Sequence, residues 1–268
     1  MQKKVYFLTG FPRSGNTLIS TLLNQNPDIA ATGHSILPEI FFQIDRIKNQ
    51  DSIYINFKLE DNVKRIEQNI FNNYFQGWNQ KYIIDRGEWA TPYNYHRLEK
   101  YCPNKIKIIF LLRNPIDVIK SYLHLCNKYP DFYINKQYNF LDKTSLHKTE
   151  IEEKIELITK KGDLFDTICM SYNFIKSKNN VLFIRYEDLV EKPNKIMKNI
   201  YSFLDIPQFK HSFNIKSQFS VNGVKYNDNI IGAPIHTLHT GKLKNFNYPN
   251  IELPKYIIEK YKGALYNY

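Results

Sequence analysis

KVYFLTGFPRSGNTLISTLL, residues 4–23, changes its period in the middle, and that change decides how the chain is read. The opening KVYFLTG is a nearly continuous apolar run of strand formers, the pattern of a strand buried on both faces. From Gly15 onward Leu18, Ile19, Leu22 and Leu23 recur at helical spacing, until NQNPD stops the helix before Pro27. Between the two, Gly10 to Thr17 (GFPRSGNT) fits the phosphate-loop spacing G-x-x-x-x-G-K-[S/T] at every position but one. Asn16 stands where the lysine belongs, and the nearby cation, Arg13, lies earlier in the loop. Three readings are open: a damaged nucleotide triphosphatase loop, a chance match, or a loop built for a different phosphate-bearing ligand.

In a nucleotide triphosphatase the loop lysine reaches the β- and γ-phosphates and the next Ser or Thr holds magnesium. Without the lysine, the loop still offers backbone N–H groups to an anion, helped by the positive end of the following helix. What remains is an anion cradle with an arginine fork. It suits a ligand with no γ-phosphate and no required metal.

Outward from this loop, strands and helices alternate. KYIID (81–85), KIKIIFLL (105–112) and VLFIRYEDL (181–189) read as strands, the last leaving through an acidic turn. TPYNYHRLEKYC (91–102), the segment from Asn114 and PNKIMKNIYSFLDI read as helices; Asn114 caps the second of these, with Pro115 at its first position and Asp117 in its first turn. Residues 36–78 are helical and aromatic with a break around KNQDS, and residues 131–180 are helical with a break at Gly162. The tail from 208 is irregular until LPKYIIEKYKGAL. The expectation is a three-layer α/β fold, a parallel sheet flanked by helices in the P-loop NTPase-like manner, as one domain over 1–268 with helical insertions at about 36–78 and 131–180. The aromatic segments EIFFQIDRI and NNYFQGW either pack the core or wall an acceptor pocket.

The chain has 268 residues, 43% of them hydrophobic, enough for one sizeable core. A formal charge of +11 favours an anionic partner, against the alternative of a lysine-decorated solvated surface. The basic residues are scattered, with no block that reads as a nucleic-acid tail, so no nucleic-acid partner is expected. Cys102, Cys126 and Cys169 form no C-x-x-C pair, which suits a reducing compartment. MQKKVYFLTGFPR places two lysines before an apolar run, but the run is short for a signal peptide and lacks a small-residue cleavage site. No apolar run approaches the roughly 18 residues of a membrane span. A cytoplasmic location is expected.

A second element, FLLRNPIDVIKSY, strengthens the phosphate reading. Arg113 stands where a strong strand ends, and ligands of open parallel sheets bind at that end. With Ser121 about two turns into the next helix, Arg113 is placed to grip a second phosphate group. An ordinary surface ion pair for Arg113 and an ordinary helical serine are the alternatives.

Here a resemblance becomes specific. FLTGFPRSGNTLISTLLNQNPDI resembles the 5′-phosphosulfate loop of sulfotransferases that use 3′-phosphoadenosine 5′-phosphosulfate (PAPS). IIFLLRNPIDVIKSY resembles that family's 3′-phosphate element, and VLFIRYEDLVEKPNKIMKNIYSFLDIP its third strand–turn–helix segment. The PRSG form of the loop is similar to the protein-tyrosine and bacterial members. The resemblance implies that Arg13, Ser14, Gly15, Asn16 and Thr17 hold the 5′-phosphosulfate, that Arg113 and Ser121 hold the 3′-phosphate, and that Tyr186 lies near the adenine. It implies PAPS as sulfuryl donor, 3′-phosphoadenosine 5′-phosphate (PAP) as product, no metal, and in-line transfer to a hydroxyl or amine acceptor. One departure stands out: the R-K-G-x-x-G-x-W segment of the small-molecule members is absent, and HTLHTGKLKNF (236–246) takes its place, with Lys242 as an electrostatic substitute.

Transfer to a hydroxyl needs a base, worth about 10²–10⁴-fold in rate. His34 falls where the protein-tyrosine members carry a glutamate, and a histidine, at roughly 6.5, needs little tuning. A glutamate would need raising by about two units, near 2.7 kcal/mol. Asp85 and Glu88 in IIDRGEW are rivals, His236 and His239 weaker ones. The H-x-x-H spacing of the last two supplies too few ligands for zinc. Two other functions compete: a P-loop kinase or NTPase using ATP–magnesium, and a PAP-binding protein without turnover.

Overall fold

A computed structural model describes residues 3–57, 59–141, 148–162, 164–246, 248 and 250–262. Its centre is a five-stranded, all-parallel sheet of order β2-β3-β1-β4-β5, made of β1 (Lys4–Gly10), β2 (Ile29–Ala31), β3 (Tyr82–Arg86), β4 (Ile108–Leu112) and β5 (Val181–Arg185). Helix α1 (Asn16–Leu23) links β1 to β2, and α2 (Leu37–Gln50), α3 (Ser52–Asn56) and α4 (Glu60–Tyr74) lie between β2 and β3. Then come α5 (Pro92–Tyr101) before β4, and α6 (Pro115–Lys128), α7 (Tyr133–Asn139), α8 (Glu150–Ile158) and α9 (Leu164–Ile175) before β5. After β5 follow α10 (Tyr186–Glu191), α11 (Pro193–Leu204), a two-stranded ribbon of β6 (Asn214–Ile215) with β7 (Gly241–Lys242), and α12 (Lys255–Tyr261).

The sheet separates two apolar layers, which is why its strands read as continuous hydrophobic runs rather than alternating ones. Val5 and Phe7 of β1, with Ile108 and Phe110 of β4, face the layer that holds Phe41, Phe71, Phe75 and Trp89. Tyr6 and Leu8, with Ile109 and Leu111, face the layer of Ile19, Leu22, Ile200 and Leu204. Each such side chain, fully buried, stabilises the fold by about 1.5–3 kcal/mol. Phe41, Phe71 and Phe75 therefore build the core, not an acceptor pocket.

Most sequence expectations carry over. Asn114 caps α6 by accepting from Ile116 N at 3.0 Å, with Pro115 next in line. The long helical stretch breaks between Ile158 and Leu164, where Gly162 takes a left-handed φ of 86°. Residues 263–265 of the expected last helix lie outside the described residues. Strand β2 is new. Its three residues show no period of their own; they are drawn into line by pairing with β3 and by Asn24, whose side chain grips both backbone groups of Ala31 at 2.6 and 2.9 Å. The acidic turn after β5 is itself the short helix α10. Among the described residues no helix is long and apolar enough to cross a membrane.

Candidate active site

Both chain directions out of the central strand meet at the carboxyl end of the sheet: β1 leads by way of α1 to the β2 edge, while β4 lies on its other side. This is the switch point at which open α/β sheets bind ligands. A cavity of about 370 Å³ opens there, lined by Arg13, Gly15, Asn16 and Thr17 of the first loop and by Arg113 and Tyr186 from the ends of β4 and β5.

The loop is braced from within. The carbonyl of Phe11 accepts from Ser14 N at 3.2 Å, from the Ser14 hydroxyl at 2.5 Å and from Asn16 Nδ2 at 2.8 Å. Asn16, in the lysine position, thus ties the loop together instead of reaching outward. The Ser14 hydroxyl is spent in the same way, and its side chain is fully buried. Gly15 precedes α1 in a left-handed conformation (φ 87°), and no side chain caps that helix end. Its first-turn N–H groups are left without intrahelical partners, which favours an anion at that point.

Arg113 is 4% exposed and lies over the Tyr186 ring, 4.5 Å from its centroid. It donates to the Arg13 carbonyl at 2.6 Å and to the Phe246 carbonyl at 2.7 Å, while its Nε is buried with no partner among the described residues. Arg13, itself left-handed at φ 61°, donates from Nε to Ser121 Oγ at 3.1 Å and from its terminal nitrogen to the Ile235 carbonyl. Ser121 is fully buried and also meets Tyr248 Oη at 3.2 Å. Arg13 and Ser121, which the resemblance would set at opposite ends of a ligand, are therefore hydrogen-bonded to each other. Burial pushes the Tyr186 phenol up, against the pull of Arg113.

The opposite wall comes from the ends of β2 and β3. His34 lines the cavity, and burial first, then Arg86 and, when protonated, His236, lower its pKa to about 4. Glu88 lines the same wall, its carboxyl raised by burial and by Glu39. Asp85 does not line it. That side chain is fully buried behind the wall, accepting from Thr32 Oγ1 at 3.2 Å and Trp89 Nε1 at 3.1 Å. It holds the loops that carry His34 and Glu88, and is not placed to meet an acceptor.

The irregular tail closes the cavity. His236, His239 and Lys242 all line it. His239 stacks on Phe246 at 4.1 Å. Three residues that the sequence reading missed support them, Arg86 and Tyr226 in the lining and Asp228 behind His236. Arg86 donates to Tyr226 Oη at 2.7 Å, Tyr226 stacks on His236 at 3.6 Å, and Asp228 pairs with the His236 ring at 2.6 Å. Arg86 had a signal, since it follows a strand directly as Arg113 does. Tyr226 and Asp228 had none, lying in an aperiodic segment.

Gly15 yields a direct prediction. An added Cβ would stand 2.9 Å from the Tyr186 ring, at a backbone angle that costs a side chain about 1–2 kcal/mol. Gly15→Ala should destabilise the fold by about 1–2 kcal/mol by displacing Tyr186 or the first turn of α1. Thermal unfolding measures this, and an unchanged Tm overturns it.

The family profile described as "Sulfotransferase domain" matches residues 3–229. Among solved structures, the sulfotransferase domain from the Synechococcus PCC 7002 olefin synthase is similar at a TM-score of 0.55 and 18% identity, over 100% of this chain and 97% of that one. The sulfotransferase domain from the curacin biosynthetic pathway is similar at 0.51 and 18% identity, over 100% and 93%. Mouse sulfotransferase SULT7A1, solved with PAP, gives 0.46 at 20% identity, over 78% of this chain and 62% of that one. No curated protein matches the chain.

Proposed function

Because the chain belongs to the sulfotransferase family, we propose that it transfers the sulfuryl group of PAPS to a hydroxyl or amine acceptor by in-line displacement. The observation that carries this reading is the convergence of Arg13 and Arg113 on one cavity, with Arg113 Nε buried and unpartnered among the described residues. A buried donor without a partner costs about 1–3 kcal/mol, and a phosphate oxygen answers it. The uncapped start of α1 would take the 5′ end, with the Thr17 hydroxyl beside it. Arg113 and Arg13 would take the second phosphate, exchanging main-chain carbonyls for anionic oxygens, and Lys242 adds charge at the rim.

When bound, PAPS supplies an activated sulfuryl group and a phosphate leaving group. The chain's own part is to hold both ends, to neutralise charge gathering at the leaving oxygen, and to take the acceptor's proton. His34, Glu88 and His236 all line the cavity and are the candidates for that base. The kinase alternative is disfavoured by Asn16, which stands in the lysine position and whose amide nitrogen is committed within the loop.

Ligand-dependent unfolding separates these readings. PAP at about 100 times its dissociation constant should stabilise the protein by roughly 2.7 kcal/mol, while ATP–magnesium adds little. The reverse pattern overturns the proposal in favour of a kinase. A screen of alcohols, phenols and amines with radiolabelled PAPS then tests turnover, and PAP binding without transfer to any of them leaves only the binding-protein reading.

A further inference from the structure

We infer that His236, held by Asp228, is the base that takes the acceptor's proton. This rests on the sulfuryl-transfer reading above and adds to it the identity of the group that activates the acceptor. Asp228 opens a single helical turn, Asp228–Ile230, capped by the Asn227 side chain accepting from Asn229 N at 3.2 Å. Its two carboxylate oxygens grip His236 twice. Oδ1 accepts from the ring Nδ1 at 2.6 Å, and Oδ2 accepts from the backbone N at 3.0 Å. A carboxylate opposite Nδ1 places the proton on that nitrogen and leaves the lone pair on Nε2. His236 lines the cavity, so the basic nitrogen belongs to a residue of the reacting site.

Everything around the ring restrains it. Tyr226 lies parallel to it at 1° and 3.6 Å, and the Tyr226 hydroxyl is anchored by Arg86. Gly232 lets the chain into this arrangement: at φ 77°, an added Cβ would sit 2.0 Å from the Asp131 carbonyl. The backbone of the loop is tied there by Tyr133 N donating to Ile231 O at 3.2 Å. Such restraint has no evident purpose in a surface loop. It is what a group that must meet a reacting oxygen requires.

The charged and titratable neighbours of His236 are Asp228, Arg86, Arg13, His34 and Tyr226. Burial and the two arginines lower its pKa and Asp228 opposes them, a balance that favours the neutral, proton-accepting ring. As the proton arrives, Asp228 stabilises the imidazolium, the role that an aspartate plays behind a catalytic histidine elsewhere. His34 has no such carboxylate partner among the described residues, and His239 stacks on Phe246 near Lys244. In the step, the acceptor's proton passes to Nε2 while an acceptor electron pair forms the new bond to sulfur. The bond from sulfur to the bridging oxygen breaks with its pair kept on the phosphate, giving PAP, the sulfated acceptor and a proton later released to water. His236 is the catalytic residue and Asp228 a positioning residue.

The test uses the intact chain and whichever acceptor the PAPS screen finds. His236→Ala and the bulkier His236→Gln should each lower kcat about 10²–10⁴-fold, with PAP affinity unchanged as proof of an intact cradle. Asp228→Asn should turn its amide N–H toward Nδ1 and its carbonyl toward the His236 backbone N, forcing the proton onto Nε2. Nitrogen-15 NMR of the imidazole, with PAP bound at neutral pH, should then show protonated Nδ1 in the wild type and protonated Nε2 in Asp228→Asn, with kcat lowered and KM unaltered in that variant. Protonated Nε2 in the wild type, or turnover within threefold of wild type in both His236 variants, overturns the assignment while sulfuryl transfer stands. Loss of transfer in His34→Ala alone returns the role to His34. A wild-type protein that transfers sulfate to no acceptor overturns the parent reading and this inference with it.

Discussion

Replacing Arg113 by alanine is expected to weaken PAP binding about 30- to 150-fold, or roughly 2–3 kcal/mol, the scale of a desolvated charge-assisted contact. The size follows from burial. At 4% exposure the guanidinium has little water to fall back on, and its Nε is unpartnered without a ligand. Tyr186 beneath it adds a cation–π contact of about 0.5–2 kcal/mol, which alanine also removes. Arg113→Lys should recover only part of the loss, because a point charge cannot reach the Arg13 carbonyl, the Phe246 carbonyl and a phosphate together. Calorimetry gives the affinity, and thermal unfolding without PAP separates it from the lost ties to those carbonyls. Wild-type affinity in Arg113→Ala would remove Arg113 from the nucleotide site.

The second large effect is on stability. Asp85→Ala should lower the unfolding free energy by about 2–4 kcal/mol, since it strands the Trp89 N–H and the Thr32 hydroxyl in the interior. For a chain of this size that is a fall in Tm of roughly 5–15 °C. The same carboxyl has a pH signature. Burial pushes its pKa from 3.8 up to about 7, against hydrogen bonds from Ser35, Thr32 and Trp89. The folded state then binds the proton more tightly than the unfolded chain. This contribution to stability is complete below about pH 4 and is lost as pH rises through about 7, at up to roughly 1.4 kcal/mol per unit. Asp85→Asn has no proton to lose, so its stability should fall less steeply across that window in denaturant titrations. Equal slopes for the two proteins would mean that Asp85 is ionised throughout.

The loop side of the cavity was largely legible in the sequence because its parts are local. A strand, a glycine-bearing turn and a helix within twenty residues declare a phosphate loop by period alone, and Arg113 is marked by the strand it ends. Neither signal shows what a side chain does once the chain folds. Asn16 was read as an absent lysine, and the structure shows it as the brace of the loop. Ser14 and Ser121 were read as ligand contacts, and the structure turns both hydroxyls toward protein partners. Each of these outcomes depends on where a short polar side chain finds its nearest partner, which spacing does not encode.

The opposite wall was scarcely legible. Arg86, Tyr226, Asp228 and His236 meet across a sequence separation that no periodic pattern spans, and three of them lie in a segment without a period. Hydrophobic period and turn chemistry act over a few residues, so the sequence by itself determined the strands, the helices and the loop between them. Which distant side chains share one cavity depends on how the tail packs across the end of the sheet. That is a long-range free-energy balance, and the tertiary structure alone decided it.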